Sequence, residues 1–192
     1  DFARLCEKNK INFIGPSADS MNLCGDKMRC KEAMLKAKVP TVPGSPDLVK
    51  DADEAEKLAN EIGYPVMLKS VYGGGGRGIR IVTTDQELRD AYETVTAESM
   101  AAVGKSAIIV EKFLEKTRHI EYQMCRDHHG NAVHLFEREC SIQRRNQKLI
   151  EQTPSPVVDK AKREEIGELV VKAAEAVDYT NLGTAEFLRA DN

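Results

Sequence analysis

The 192 residues carry 28 basic and 31 acidic side chains, a formal charge of −3, with 41% hydrophobic and 31% charged residues. That balance supports a folded domain with a real core and excludes disorder and a dedicated nucleic-acid binder. No apolar run approaches the ~20 residues of a membrane-spanning helix and no signal peptide is visible. The five cysteines, odd in number and without a C-x-x-C pair, read as reduced thiols of a cytosol-like compartment. The chain opens at Asp1 without methionine and stops within an apparent strand, so it reads as a piece of a longer protein.

Residues 2–9 read as a helical turn or two and 12–14 as a short strand, broken by Gly15-Pro16-Ser17. Residues 25–38 read as a helix, and three prolines over 40–46 mark a linker. Asp51-x-x-Glu54 approximates a capping box, after which Ala55, Leu58, Ala59 and Ile62 form one apolar helical face ended by Gly63 and Pro65. An apolar run then reaches Lys69, five glycines follow within six residues (73–78), and a β-branched run resumes at 79–82. The pattern is strand, loop, strand. Thr84-x-x-Glu87 opens a helix reaching about residue 103, and 107–110 is a buried strand. Residues 41 to about 113 therefore read as a βαβ-like α+β lobe around the glycine loop.

Beyond 117, Ile120, Tyr122 and Met124 alternate with His119, Glu121 and Gln123, and 133–136 follows the turn 127–131. That is an antiparallel hairpin with one polar face. Ile166, Leu169, Val170, Ala173 and Val177 mark an amphipathic helix, and 183–188 a last strand in which Glu186 alternates outward from Ala185 and Phe187.

A loop of Gly73, Gly74, Gly75, Gly76 and Gly78, flanked by Lys69 and Arg77, suits phosphate, because glycine lets backbone N–H groups approach an anion closely. A plain hairpin turn needs only one or two glycines. The G-x-G-x-x-G match is not a dinucleotide fingerprint, since Ile79-Arg80-Ile81-Val82 continues as a strand rather than a helix. His128 and His129 lie in a turn, and no His or Cys spacing suits a metal site. Arg144-Arg145-x-x-Lys148 lacks the interleaved aromatics of a nucleic-acid patch.

Gly25-Asp26-Lys27, the Lys69 glycine loop, Glu111-Lys112-Phe113-Leu114, Arg118-His119-Ile120-Glu121, the run from Glu139 to Lys148 and Thr184-Ala185-Glu186-Phe187-Leu188 occur in the order seen in biotin carboxylases. The chain resembles that family of ATP-grasp enzymes over its whole length. The resemblance implies an α+β ATP-grasp fold: 1–40 the tail of a Rossmann-like N-terminal domain, 41–113 the lid lobe, and 114–192 the first part of the larger antiparallel lobe. It implies ATP, Mg2+ (or Mn2+) and bicarbonate, with biotin on a carrier protein or domain as acceptor. A carboxyltransferase partner, a homodimeric parent and a cytoplasmic or mitochondrial-matrix location go with it.

By the same resemblance, Lys27, Lys69 and the glycines hold ATP phosphates, while Glu111, Lys112 and Leu114 line the adenine. His119, Gln143 and Asn146 face the nucleotide; Asn146 stands where many relatives have a ribose-contacting histidine. Lys148 is the candidate catalytic residue, approaching bicarbonate and the γ-phosphate, and Glu186 the candidate metal ligand. The family's second metal glutamate and its catalytic base lie beyond Asn192, so these residues alone are expected to be inactive. Another ATP-grasp ligase, such as the carbamoyl-phosphate synthetase large subunit, and a non-catalytic nucleotide-binding module are the alternatives.

Overall fold

The structure is a computed structural model that describes residues 1–71, 78–144 and 147–190, with Ala102 and Val103 described by backbone alone. These residues form two compact units, 41–115 and, separately, 1–40 together with 116–192. Among the described residues no helix is long and apolar enough to cross a membrane.

The unit 41–115 contains helix α4 (Ala52–Ile62), strands β1 (Val66–Ser70) and β2 (Ile79–Val82), helix α5 (Asp85–Val103) and strand β3 (Ile108–Lys112). Its helices start where local chemistry dictates. Asp51 accepts from the Glu54 N–H at 2.8 Å while the Glu54 carboxylate accepts from the Lys50 N–H at 2.8 Å, which satisfies two of the donors a helix start leaves open. Thr84 caps α5 in the same way, and Gly104 ends it in the left-handed region at φ 69°. The sheet order is β2-β1-β3, with β1 antiparallel to both neighbours.

The βαβ expectation is thus corrected. β2 and β3 run parallel through α5, but β1 lies between them and pairs antiparallel with both. Ala55 and Ala59 of α4 and Leu88, Tyr92 and Val95 of α5 cover Val66, Leu68, Val82, Ile108 and Val110.

The other unit begins with α1 (Phe2–Lys8), α2 (Ala18–Gly25) and α3 (Lys27–Lys36). Two expectations fail here. Residues 12–14 form no strand, having no partner among the described residues; Phe13 instead packs edge-on against Phe2 at 6.0 Å. The helix expected over 25–38 is two helices, because Ser17 caps an α2 the sequence reading missed and Asp26 both ends α2 and caps α3.

Strands β4 (Thr117–Arg126), β5 (Ala132–Arg144), β6 (Gln147–Gln152) and β7 (Asn181–Ala190) form an antiparallel sheet of order β6-β5-β4-β7, and helix α6 (Lys160–Ala176) crosses it. Ile120, Tyr122 and Met124 bury one sheet face against Val170 and Ala174 of α6 and against Val158. Their period-2 neighbours His119, Glu121 and Gln123 are thereby committed to the opposite face.

Candidate functional site

In the unit 41–115, Leu68 faces the core, so the next residue, Lys69, must face away from it. Its ammonium bonds Glu111 of β3, the adjacent strand. Both side chains are largely shielded yet reachable, at 26% and 20% exposure. The strand-end lysine is therefore paired, and Glu111 is engaged with it. Lys112 is occupied as well: its ammonium donates to the Gly63 and Tyr64 carbonyls at 2.8 and 2.9 Å, and its N–H to Pro43 O at 2.8 Å. Leu114 is half-buried just past β3. Gly78 sits at φ 72°, its carbonyl accepting from the Ser70 N–H at 2.9 Å. Gly73, Gly74, Gly75, Gly76 and Asn146 lie outside the described residues.

In the second unit, strand register assembles the polar constellation. Glu121 lies opposite Arg138 on β5 and opposite Glu186 on β7, and Gln143 lies opposite Lys148 on β6. Lys148 reaches across to bond Glu121 and lies 3.3 Å from Glu186 Oε1. His119 Nε2 is also 3.3 Å from Glu186 Oε1, but misaligned for a hydrogen bond. Gln143 Nε2 contacts His119 Nδ1 at 2.9 Å and donates to Cys140 O at 2.8 Å. The structure thus brings His119, Gln143, Lys148 and Glu186 together. Lys27 stands apart, exposed in the first turn of α3.

Sequence reasoning gave no role to Glu121, Arg138 or Glu139. Glu121, only 4% exposed, receives Lys148 on one oxygen and Arg138 Nε at 2.6 Å on the other. Burial opposes its ionised form, yet those hydrogen bonds hold its pKa below the usual carboxylate value. The Glu121 bond, outweighing desolvation, raises the Lys148 ammonium above its ordinary value. Burial, then the Glu121 charge, pushes the Cys140 thiol up to about 11, so it is neutral at pH 7. Behind them Glu139, 5% exposed, accepts from the Ser141 and Ser155 hydroxyls, and Ser141 accepts from the His119 N–H at 2.9 Å. The legible signal for Glu121 was its place two residues after His119 on the polar face.

His119, Glu121 and Glu186 offer ligand atoms within 4.8 Å of one another. Two of the three are carboxylates, the hard oxygen donors a divalent cation such as Mg2+ prefers. A separate cleft of about 460 Å³, lined by Leu23, Arg29, Glu32, Ala33, Lys36, Ala37 and Ala176, contains none of the candidate site residues.

A family model described as the ATP-binding domain of the carbamoyl-phosphate synthase L chain matches residues 26–192. The chain is 50% identical over 187 residues to a biotin carboxylase of Nostoc sp., covering 97% of this chain and 42% of that protein. To the 2-oxoglutarate carboxylase small subunit of Hydrogenobacter thermophilus it is 52% identical, covering 97% and 40%. Among solved structures, the biotin carboxylase domain of that Hydrogenobacter enzyme, in complex with MgADP, ADP and bicarbonate, superposes at TM-score 0.88. The identity there is 51%, with 99% of this chain and 42% of that one covered. A biotin carboxylase from Campylobacter jejuni gives TM-score 0.90 at 46% identity, covering 100% and 43%. The chain spans about two fifths of the length of the relatives it matches.

Proposed function

The chain belongs to the family of the carbamoyl-phosphate synthase L chain ATP-binding domain, with an ATP-grasp fold, and from that premise we propose that it is the nucleotide-binding part of a biotin carboxylase. The parent protein carboxylates carrier-linked biotin with ATP and bicarbonate. A bicarbonate oxygen attacks the γ-phosphate, ADP leaves, and carboxyphosphate then breaks into carbon dioxide and inorganic phosphate beside the biotin ureido nitrogen. The observation that carries this reading is one lysine ammonium, Lys148, shared between a buried carboxylate, Glu121, and an exposed one, Glu186. Such a centre offers a cation to an anionic substrate and a carboxylate to a metal.

In this reading Lys27, Lys69 and the glycine loop (Gly73, Gly74, Gly75, Gly76 and Gly78) bind the triphosphate. Charge-assisted contacts to phosphate are the strong kind. Lys69 bonds one Glu111 oxygen, which leaves the other to accept from the adenine amino group. Lys112 and Leu114 supply the rest of the adenine wall, and His119, Gln143 and Asn146 the ribose side. Glu186 would hold Mg2+ or Mn2+, which supplies charge neutralisation on the phosphates. Lys148 orients bicarbonate against the γ-phosphate, and preorganised charge of this kind is the largest single contribution to such a reaction.

A biotin carboxyl carrier protein or domain, a carboxyltransferase and a second copy of the parent are the partners. Relatives that are subunits of 2-oxoglutarate and propionyl-CoA carboxylases support this. Chloroplastic and mitochondrial relatives support a soluble compartment, cytoplasmic or organellar. ATP cleavage by the full-length parent tests the reading. It should depend on both bicarbonate and free biotin. Cleavage with carbamoyl phosphate formed and no biotin dependence would assign the carbamoyl-phosphate branch instead, and binding without cleavage a non-catalytic module.

A further inference from the structure

One guanidinium on the reactive face of the sheet has no part in the scheme above. Arg138 projects from β5 and touches three other strands. Its Nε donates to Glu121 Oε1 of β4 at 2.6 Å, Nη1 to Gln123 Oε1 of β4 at 3.1 Å, and Nη2 to Thr184 Oγ1 of β7 at 3.4 Å. Glu151 of β6 lies 3.8 Å from Nε. Gln123 is itself fixed, donating to Gly183 O at 2.9 Å. The fork is thus held by two neutral groups on the β4–β7 side, with the Glu151 carboxylate on the β6 side, and is aimed at one oxygen of a buried carboxylate, an arrangement a lysine could not reproduce.

The electrostatic consequence follows from counting charges on Glu121. Without Arg138, Glu121 and Lys148 form a neutral pair, and both carboxylate oxygens are open to the ammonium. With Arg138 on Oε1, Lys148 is confined to Oε2, and the second cation offsets negative charge that Glu186, 3.3 Å from Lys148, and Glu151, 3.8 Å from Arg138, bring to the cluster. We propose that Arg138 is a positioning residue, which occupies one oxygen of Glu121 so that Lys148 stays fixed on the other and keeps positive potential for an anionic substrate of the bicarbonate class. The inference rests on the function proposed above for Lys148.

The test separates substrates. In the full-length parent, Arg138→Gln should raise the KM for bicarbonate about tenfold, the scale of one unit charge lost about 12 Å away at an effective dielectric near 20. The KM for ATP should stay within about twofold of wild type, because the phosphate lysines are untouched. Arg138→Lys, which restores the charge without the fork, should recover only part of the bicarbonate affinity. A staple that merely joined strands would change both KM values together or neither, and that result overturns the proposal. Should R138Q not fold, Gln123→Leu with Thr184→Val removes the fork's neutral anchors and must raise the bicarbonate KM selectively; no change there also overturns it. If the wild-type parent cleaves no ATP, the functional reading fails on its own. Calorimetric titration with bicarbonate in the presence of MgADP then decides, with about tenfold weaker binding expected for R138Q and equal binding, or none to wild type, counting against the proposal.

Discussion

Replacing Arg163 by methionine keeps the length of the side chain but strands the Glu137 carboxylate under α6. Glu137 is 1% exposed, and Arg163 grips it with Nε at 2.7 Å and Nη2 at 2.6 Å, while the Ser155 N–H adds a third bond at 3.0 Å. Breaking a buried pair from one side typically costs about 3–5 kcal/mol. The Ser155 bond remains in the variant, so the lower end, about 3 kcal/mol, is expected at pH 7 in urea denaturation of the full-length protein. Burial works against ionised Glu137, but the Arg163 bonds prevail and its folded pKa lies below 4.5. A depressed carboxylate contributes stability above its unfolded pKa and loses it as pH falls through the folded value. In R163M the stranded carboxylate is relieved by protonation, so the gap between variant and wild type should narrow as pH falls toward 4.5. Glu137→Gln combined with Arg163→Met should recover most of the loss, since no charge is then buried. A loss under about 1 kcal/mol at pH 7, or a gap that widens with acid, would refute the view that this pair fixes β5 to α6.

Lys69→Gln should raise the KM for ATP by the equivalent of about 1.5–3 kcal/mol without changing circular dichroism; unchanged ATP kinetics would mean that the Glu111 pairing is its only role. Glu186→Gln should weaken Mn2+ binding, read by electron paramagnetic resonance in the presence of ADP, and equal affinity would remove Glu186 from the metal site. Gly167→Ala would put a Cβ 2.3 Å from His134 Nε2 and 2.4 Å from its Cε1. The imidazole, packed between Tyr122 and Phe136, has to shift, so calorimetric melting should show about 1–3 kcal/mol of destabilisation.

What local sequence determined was the set of elements whose signals are local. Ala55 and Ala59 at helical spacing, the Asp51 and Thr84 caps, and the alternation of Ile120, Tyr122 and Met124 all act within a few residues, and those elements stand where the pattern puts them. The motif residues, being covalently ordered, named His119, Gln143, Lys148 and Glu186 before any geometry was known. Beyond the hairpin read across the turn 127–131, pairing is not local, and there the sequence was silent. Residues 12–14 have strand chemistry but no partner among the described residues. β6, with five of its six residues exposed, has no burial period and exists because β5 offers it a register. β1 is adjacent to β2 because a hairpin closes a short loop, and it lies in the middle because β3 pairs along its other edge rather than along β2. Arg138 and Glu121 are 17 residues apart in the chain and directly opposite in the sheet. Only that register brings two ordinary surface-type residues together as an ion pair beside Lys148, because a buried carboxylate keeps its charge only where folding delivers it partners.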